Sequence, residues 1–355
     1  RSRHFRNMPG EGGLDMIGFT GAVMATGYSG PVSLEIFNDQ CRGGQARTIA
    51  KDGYRSLWAL MDDVNRAEPA LALKVPHTPA RIQAKGLSFL EFASKAEEAQ
   101  ALGALLCSLG FTHSADHVTL DLSLWTQGNI RILINRETKG YASSAFTLHG
   151  TNVCDIGIAV TDAQAAAERA KFLGADLFQQ HSDPKHLKIP AIHGQSGGIL
   201  HYIDDKNGLS DVWDIEFTPR AEPSIGAGLT RIDHIGHTMN YEDMLSWSLF
   251  FTTLFDMKKS AMVDVVDPDG LVRSQALESS DGSLRITLNG AETHKTMAGS
   301  FLAESSNASV QHIAFATDNI FASAQRLKAH GFAPLPIRAI ITPTSPHVSI
   351  LMRTC

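Results

Sequence analysis

From Asp15 to Thr26 the apolar positions Met16, Ile17, Phe19, Val23 and Met24 recur at helical spacing, and Gly27 supplies a stop. Val32–Ile36 reads as a short strand and Gln45–Val64 as a longer helix. One strand between two helices neither closes a sheet nor buries both faces, so this stretch reads as part of a larger unit that begins before residue 1.

Beyond it one pattern recurs four times: a short apolar strand, a capped helix, and usually a glycine just past the helix. Leu87–Phe92 leads to Ser94 as cap, Glu97 completes the capping box, and Gly110 ends the helix. Val153–Val160 leads to Thr161, with Gln164 three residues on, and stops at Gly174. Ile232–Met239 leads to Asn240 and a helix through about Phe255; Val310–Ala316 leads to Asp318 and a helix ending at Gly331. Asn129–Asn135 and Ser283–Asn289 are similar tails of the first and third copies. The copies start roughly 65 to 80 residues apart, the length of a strand-helix-three-strand module. Proline-bearing stretches at Glu68–Arg81 and Thr218–Gly228 read as linkers. The fold class that follows is α+β, with paired βαβββ modules forming two halves. The expected units are 1–66, 83–210 and 230–355, joined by linkers at 67–82 and 211–229.

Composition narrows the function. Hydrophobic residues make up 43% and charged residues 19%, which excludes disordered and fibrous chains. No apolar run approaches the ~18 residues of a membrane span. A net charge of -6 argues against a broad nucleic-acid surface. Cys41, Cys107, Cys154 and Cys355 are scattered, fit no disulfide framework or CxxC pair, and point to a reducing, cytoplasmic compartment.

His234 and His312 stand out chemically. Each lies on the first strand of its copy, and each precedes its expected cap, Asn240 or Asp318, by the same interval. Equivalent repeat positions would aim both imidazoles into one concavity. Two imidazoles and a carboxylate with open positions make a non-haem iron site. A lone histidine on a strand is more often a satisfied core residue; the matched pair favours a metal.

Residues 83–340 resemble 4-hydroxyphenylpyruvate dioxygenase, of the vicinal oxygen chelate superfamily. Asp233-His234, Gln311-His312-Ile313-Ala314-Phe315 and Gln127-Gly128-Asn129-Ile130 carry the likeness. The resemblance implies that His234 and His312 bind a metal, Mg2+ or Fe2+, together with a glutamate on the last strand. This chain departs there: Glu304 is its last glutamate and Asp318 its last acid, and after Leu335-Pro336-Ile337 the tail from about Arg338 no longer reads as a module. The expectation is an absent third ligand, an unpaired final sheet edge and an incomplete last module.

The first residues are similar to something more specific. Ser2-Arg3-His4-Phe5-Arg6, Pro9-Gly10-Glu11-Gly12, Gly27-Tyr28-Ser29-Gly30-Pro31 and Leu34–Asp39 resemble the last part of a sugar-isomerase-type (β/α)8 barrel. A barrel followed by a dioxygenase-like region is the layout of the fused bacterial 3-dehydroshikimate dehydratases. The resemblance implies conversion of 3-dehydroshikimate to 3,4-dihydroxybenzoate and water in quinate and shikimate catabolism. It also implies that Glu35 is one of four ligands to a catalytic Mg2+, Mn2+ or Co2+ and that Arg6 contacts the anionic substrate. With the other three ligands outside this sequence, the chain reads as a dehydratase fragment, truncated at both ends and inactive by itself. Two alternatives stay open: a free iron dioxygenase, and a non-catalytic scaffold that assembles with copies of itself.

Other features carry less. His113 and His117 have helical ligand spacing but fall where a strand is expected. His181 and His186 flank Pro184 in a polar loop and read as solvated; His237 reads as a supporting or surface residue. Asp155, at the second copy's equivalent of the metal histidines, reads as partnerless and suggests a degenerate, structural half. Gly194-Gln195-Ser196-Gly197-Gly198 lacks the lysine and helix of a phosphate loop.

Overall fold

The structure is a computed structural model that describes residues 6–39, 45–71, 77–179, 186–194, 197–220, 226–267, 269–305, 309–335 and 350–353. The expectations placed on Ser2–Phe5, His181, Gln195-Ser196 and residues 336–349 lie outside these.

Helix α1 (Met16–Ala25) starts on Asp15, whose carboxylate accepts from the Gly18 amide at 2.8 Å. The alternation at Val32–Ile36 does not become a strand: the segment is largely exposed and has no ladder partner among the described residues. Alternation makes a strand only where a neighbour takes its backbone groups. Helix α2 (Ala46–Ala67) follows, slightly beyond the expected end at Val64.

The four strand-helix starts are present; three modules are full, and among the described residues the fourth has one strand after its helix. The first is β1 (Ala84–Ala93), α3 (Ala96–Ser108), β2 (Thr112–His117), β3 (Leu122–Gln127) and β4 (Ile130–Asn135). A connecting helix α4 (Gly140–His149) leads to β5 (Asn152–Val160), α5 (Ala163–Phe172), β6 (Leu177–Phe178), β7 (Ala191–His193) and β8 (Ile199–Ile203). Next come α6 (Val212–Ile215) and β9 (Phe217–Pro219). Both fall in the stretch read as the second linker; β9 pairs antiparallel with β2, so a proline-bearing end can serve as a sheet edge. The third module is β10 (Leu229–Asn240), α7 (Tyr241–Leu254), β11 (Met257–Lys259), β12 (Val263–Asp267), β13 (Gly270–Ser279) and β14 (Arg285–Ala291). Helix α8 (Met297–Glu304) precedes β15 (Ser309–Thr317), α9 (Ile320–Ala329) and β16 (Ile350–Arg353).

The helix caps differ from expectation by one residue. Asp162, not Thr161, accepts from the Ala165 amide, and Asn319, not Asp318, accepts from Ala322, each at 3.0 Å. Ser94 caps nothing; its hydroxyl pairs with Thr151 at 2.8 Å, and α3 starts after Lys95 without a side-chain cap. Asn240 holds the cap position of α7, but its side chain makes no cap bond. The glycine stop is clearest at Gly110: its φ is +85°, and a Cβ there would run into the Gly226–Ala227 backbone.

The strands form two sheets, ordered β6-β7-β8-β5-β1-β4-β3-β2-β9 and β11-β13-β14-β10-β15-β16, with β12 on β13. In both, the first strands of two modules meet antiparallel at the centre: β1 on β5, and β10 on β15. The registers of these two central pairs coincide. Leu90 faces Ile156 as Ile235 faces Ile313, and Glu91 faces Asp155 as Gly236 faces His312. Both ladders slip at the same three points, the last between Glu91 and Phe92 in one and between Gly236 and His237 in the other. A slip re-aims every following side chain, so matched slips give matched directions.

The fourth module departs from the others. Where β1, β5 and β10 pair parallel with the last strand of their module, β15 pairs antiparallel with β16. The expected unpaired edge is thereby corrected: Phe315↔Ile350 through His312↔Arg353 occupy it, because four residues of the tail supply a backbone ladder.

One apolar core runs through both halves, from Leu90, Ile132 and Ile158 to Ile235, Ile286 and Phe315. A polar strap crosses the joint. Arg169 of α5, 1% exposed, donates to the Thr253 carbonyl of α7 at 2.6 Å and to the Pro79 carbonyl, and lies 3.3 Å from Asp62 of α2. Arg81 adds 2.6 Å contacts to Asp62 and Asp63.

Candidate metal pair and acidic pocket

Strands β10 and β15 bring the two expected histidines together. The His234 and His312 rings lie edge to face with centroids 5.4 Å apart. Gly236 makes room for this, since a Cβ there would enter the His312 ring. Asp233 Oδ2 sits 2.9 Å from His234 Nδ1, which leaves Nε2 available, the arrangement in which a carboxylate orients a metal-binding imidazole. Arg285 and Arg231 hold Asp233 in turn, at 2.9 Å each. Burial works against the Asp233 charge, but the His234 bond and these guanidiniums outweigh it and keep the carboxyl below its ordinary range. Burial, with His234 next to it, pushes His312 down to about 4, so this ring is neutral at pH 7 with a lone pair to offer. These residues suit a divalent metal. Among the described residues no carboxylate joins the pair as a third ligand.

His237 is a correction to a surface reading. The slip after Gly236 turns it inward, where it is buried beside Phe251 at a ring distance of 6.1 Å. Neither ring nitrogen has a hydrogen-bond partner among the described residues, and burial followed by the nearby His312 lowers it to about 4.

Arg6 and Glu35 are both exposed. Arg6 donates its amide to the Phe37 carbonyl at 3.1 Å and carries its guanidinium 5.8 Å from the Phe37 ring. No group of three metal-ligating side chains among the described residues includes Glu35.

The N-terminal half holds a site that sequence reasoning missed. At the centre of its sheet, Glu91 of β1 and Asp155 of β5 face each other in register. Glu91 Oε1 accepts from Tyr141 Oη at 2.5 Å and from Asn135 Nδ2 at 2.8 Å. Asp155, read as partnerless, has its Oδ2 2.6 Å from His201 Nδ1 of β8 and 3.3 Å from Tyr141 Oη. Burial, and then Asp155, raises the Glu91 carboxyl; burial and Glu91 raise the Tyr141 phenol. Burial would lower His201, but Asp155 and Glu91 outweigh it and raise it. Matched chain positions were the available signal, since Asp155 stands where His312 does.

His117, His186 and Glu216 border the same region, and their ligand atoms lie within 4.8 Å of one another. His186 is not simply solvated: its Nε2 is 3.0 Å from Thr119 Oγ1, and its ring meets that of His117. His113 and His117 lie on strand β2, so they share no helical face. The hydrogen bonds assign the His117 tautomer. The amides of Thr119 and Leu120 both donate to Nδ1 at 3.1 Å, so Nε2 carries the proton and gives it to Glu216 Oε2 at 3.2 Å. The Leu187 amide takes the other Glu216 oxygen at 2.6 Å. Ligation through Nε2 would leave an imidazolate, so the trio fits a clasp tying residues 186–187 to β2 better than a metal site.

The likenesses to known proteins agree with this architecture. Residues 79–218 match the family described as hydroxyphenylpyruvate dioxygenase, N-terminal, and residues 231–344 the glyoxalase/bleomycin resistance protein/dioxygenase superfamily. A 3-dehydroshikimate dehydratase of Pseudomonas aeruginosa is 36% identical over 95% of this chain and 54% of its own length. The chain thus spans about half the length of this relative. A 4-hydroxyphenylpyruvate dioxygenase of Pseudomonas sp. is 32% identical over 69% of this chain and 70% of its own length. Among solved structures, a xylose isomerase-like TIM barrel/4-hydroxyphenylpyruvate dioxygenase fusion protein superposes with a TM-score of 0.80 at 35% identity, covering 93% of this chain and 53% of that one. With two sheets of paired βαβββ modules and a dioxygenase relative matched over more than two thirds of its length, the chain belongs to the 4-hydroxyphenylpyruvate dioxygenase family.

Proposed function

We propose that this chain serves a 3-dehydroshikimate dehydratase, which releases water to form 3,4-dihydroxybenzoate. The observation that carries this reading is the 36% identity to the P. aeruginosa dehydratase over 95% of the chain, which takes in the residues ahead of the modules as well as the modules. In this reading Arg6 holds the substrate carboxylate through its guanidinium, and Glu35 is one ligand of a divalent ion. When bound, that ion supplies Lewis-acid polarisation of the substrate ketone. A single exposed carboxylate does not hold such an ion against water, so we expect residues 1–355 alone to show no dehydration with Mg2+, Mn2+ or Co2+. The test is a chimera in which this chain replaces the matching part of the P. aeruginosa dehydratase, with 3,4-dihydroxybenzoate followed by its absorbance. Turnover that falls at least about hundredfold in the Glu35→Gln chimera supports the reading. Turnover indifferent to both Glu35 and Arg6 overturns it.

The His234–His312 pair favours a second reading, a dioxygenase-like metal centre using Mg2+ or Fe2+ in the module region. Two imidazoles with no acid beside them among the described residues make a weak site that suits Fe2+ or Zn2+ better than Mg2+, so metal binding without turnover of 4-hydroxyphenylpyruvate is the expected result.

A further inference from the structure

The acidic cluster of the N-terminal half does not stand in a solid core. Glu91, Tyr141, Asp155 and His201 all line one cavity of about 600 Å³, room for a single substituted ring. Phe89, Phe178, Trp213 and Phe217 wall it, with Phe89 and Trp213 centroids 5.6 Å apart and Phe178 and Tyr141 centroids 5.4 Å apart. Asp155 Oδ1 is fully buried and has no hydrogen-bond partner among the described residues. A buried carboxylate oxygen left without a donor is costly, so a donor from a ligand would be well rewarded. Lys188 also borders the cavity; it is exposed and has no ion-pair partner among the described residues. The central register places this pocket where the other half holds His234 and His312, with Phe89, Glu91 and Asp155 in place of His234, Gly236 and His312.

We infer that this cavity is a binding site for a hydroxylated aromatic carboxylate, its hydroxyl groups on Asp155 and Glu91 and its carboxylate toward Lys188. Acceptors at the floor ask for hydroxyl donors. The floor joins two carboxyls to an imidazole, and this near balance of charge favours a neutral hydroxyl over an ammonium group. The aromatic walls select a flat ring, and the lysine selects an anionic end. The inference concerns residues apart from Arg6, Glu35, His234 and His312 and does not rest on the reaction proposed above.

The test uses residues 1–355, titrated by calorimetry and by the change in tryptophan emission, to which Trp213 contributes, with 3,4-dihydroxybenzoate, benzoate and catechol. The dihydroxybenzoate should bind one to one, with benzoate and catechol each weaker by at least about tenfold. Asp155→Asn should weaken the dihydroxybenzoate by about tenfold to hundredfold, while Lys188→Gln weakens it and leaves catechol unchanged. Leu177→Trp on the half-exposed rim blocks entry without touching the buried cluster, which keeps the test valid if the Asp155 variant folds poorly. His234→Ala with His312→Ala should leave this binding unchanged. Equal affinity for all three probes, binding indifferent to both Asp155→Asn and Leu177→Trp, or binding lost with the two histidines would each overturn the inference.

Discussion

The two halves of this molecule share a central strand pair down to the positions of its slips, yet they gather opposite chemistry there. The C-terminal half sets two imidazoles over a glycine, with Asp233 orienting one of them. The N-terminal half puts Glu91 where the glycine stands and Phe89 and Asp155 where the two imidazoles stand, against aromatic walls and a phenol. Register decides where side chains converge; residue identity alone decides whether the meeting point favours a metal or a hydroxyl group. A pseudo-equivalent position is therefore a statement about direction, and it does not carry function from one half to the other.

The comparison can be broken mechanically by cutting the strap at the joint. Arg169→Ala leaves the buried Thr253 carbonyl and the half-buried Pro79 carbonyl without their donor, while Arg81 still holds Asp62, and should cost about 3 kcal/mol in urea-induced unfolding. Two transitions in place of one would mean that the halves had come apart. At the histidine pair, His312→Ala should weaken Zn2+ or Co2+ binding by more than about hundredfold, a loss of ~2.7 kcal/mol, read by calorimetry. Asp233→Asn should cost about tenfold to hundredfold in the same titration. The sharpest exchange is Phe89→His with Asp155→His, which places two imidazoles beside Glu91. The variant should bind a second equivalent of Co2+; one equivalent would show that matched register is insufficient.

Smaller effects follow from charge and capping. Glu91 ionises at higher pH in the folded chain than in the unfolded one, so folding is most favoured below the unfolded value and loses stability as pH rises through the folded value. Glu91→Gln keeps an acceptor for Tyr141 and Asn135 and cannot ionise. Its melting temperature should therefore exceed the parent's at pH 8 by a few degrees, about 1 kcal/mol, and the gap should close at pH 4. Asp162→Ala should cost about 1 kcal/mol through the lost cap of α5, whereas Thr161→Ala should stay within ~0.5 kcal/mol.

Much of this was legible in the sequence. The repeated strand, helix and glycine gave the four modules, and the equal offsets of His234 and His312 from their helices gave the pair. The misses have specific causes. Thr161-Asp162 and Asp318-Asn319 each offer two adjacent cap formers, and the point where the strand ends chooses between them. Val32–Ile36 alternates correctly but lacks a partner strand among the described residues, and β16 lies in a tail with no module pattern. Of the acidic cluster only the match of Asp155 to His312 was legible, because Glu91, Tyr141, Asp155 and His201 come from four separate elements, one of them a helix, and meet only in the fold.

Arg169 has a consequence for how the molecule breathes. Its guanidinium satisfies the Thr253 and Pro79 carbonyls while lying beside Asp62, so α5 cannot peel away without exposing groups that belong to the opposite half and to α2. Slow amide-hydrogen exchange in β5 and β8 should then share one opening free energy with that in β10 and β14, the behaviour of a single cooperative unit. Occupation of either site would slow exchange at both, although no ligand touches the joint.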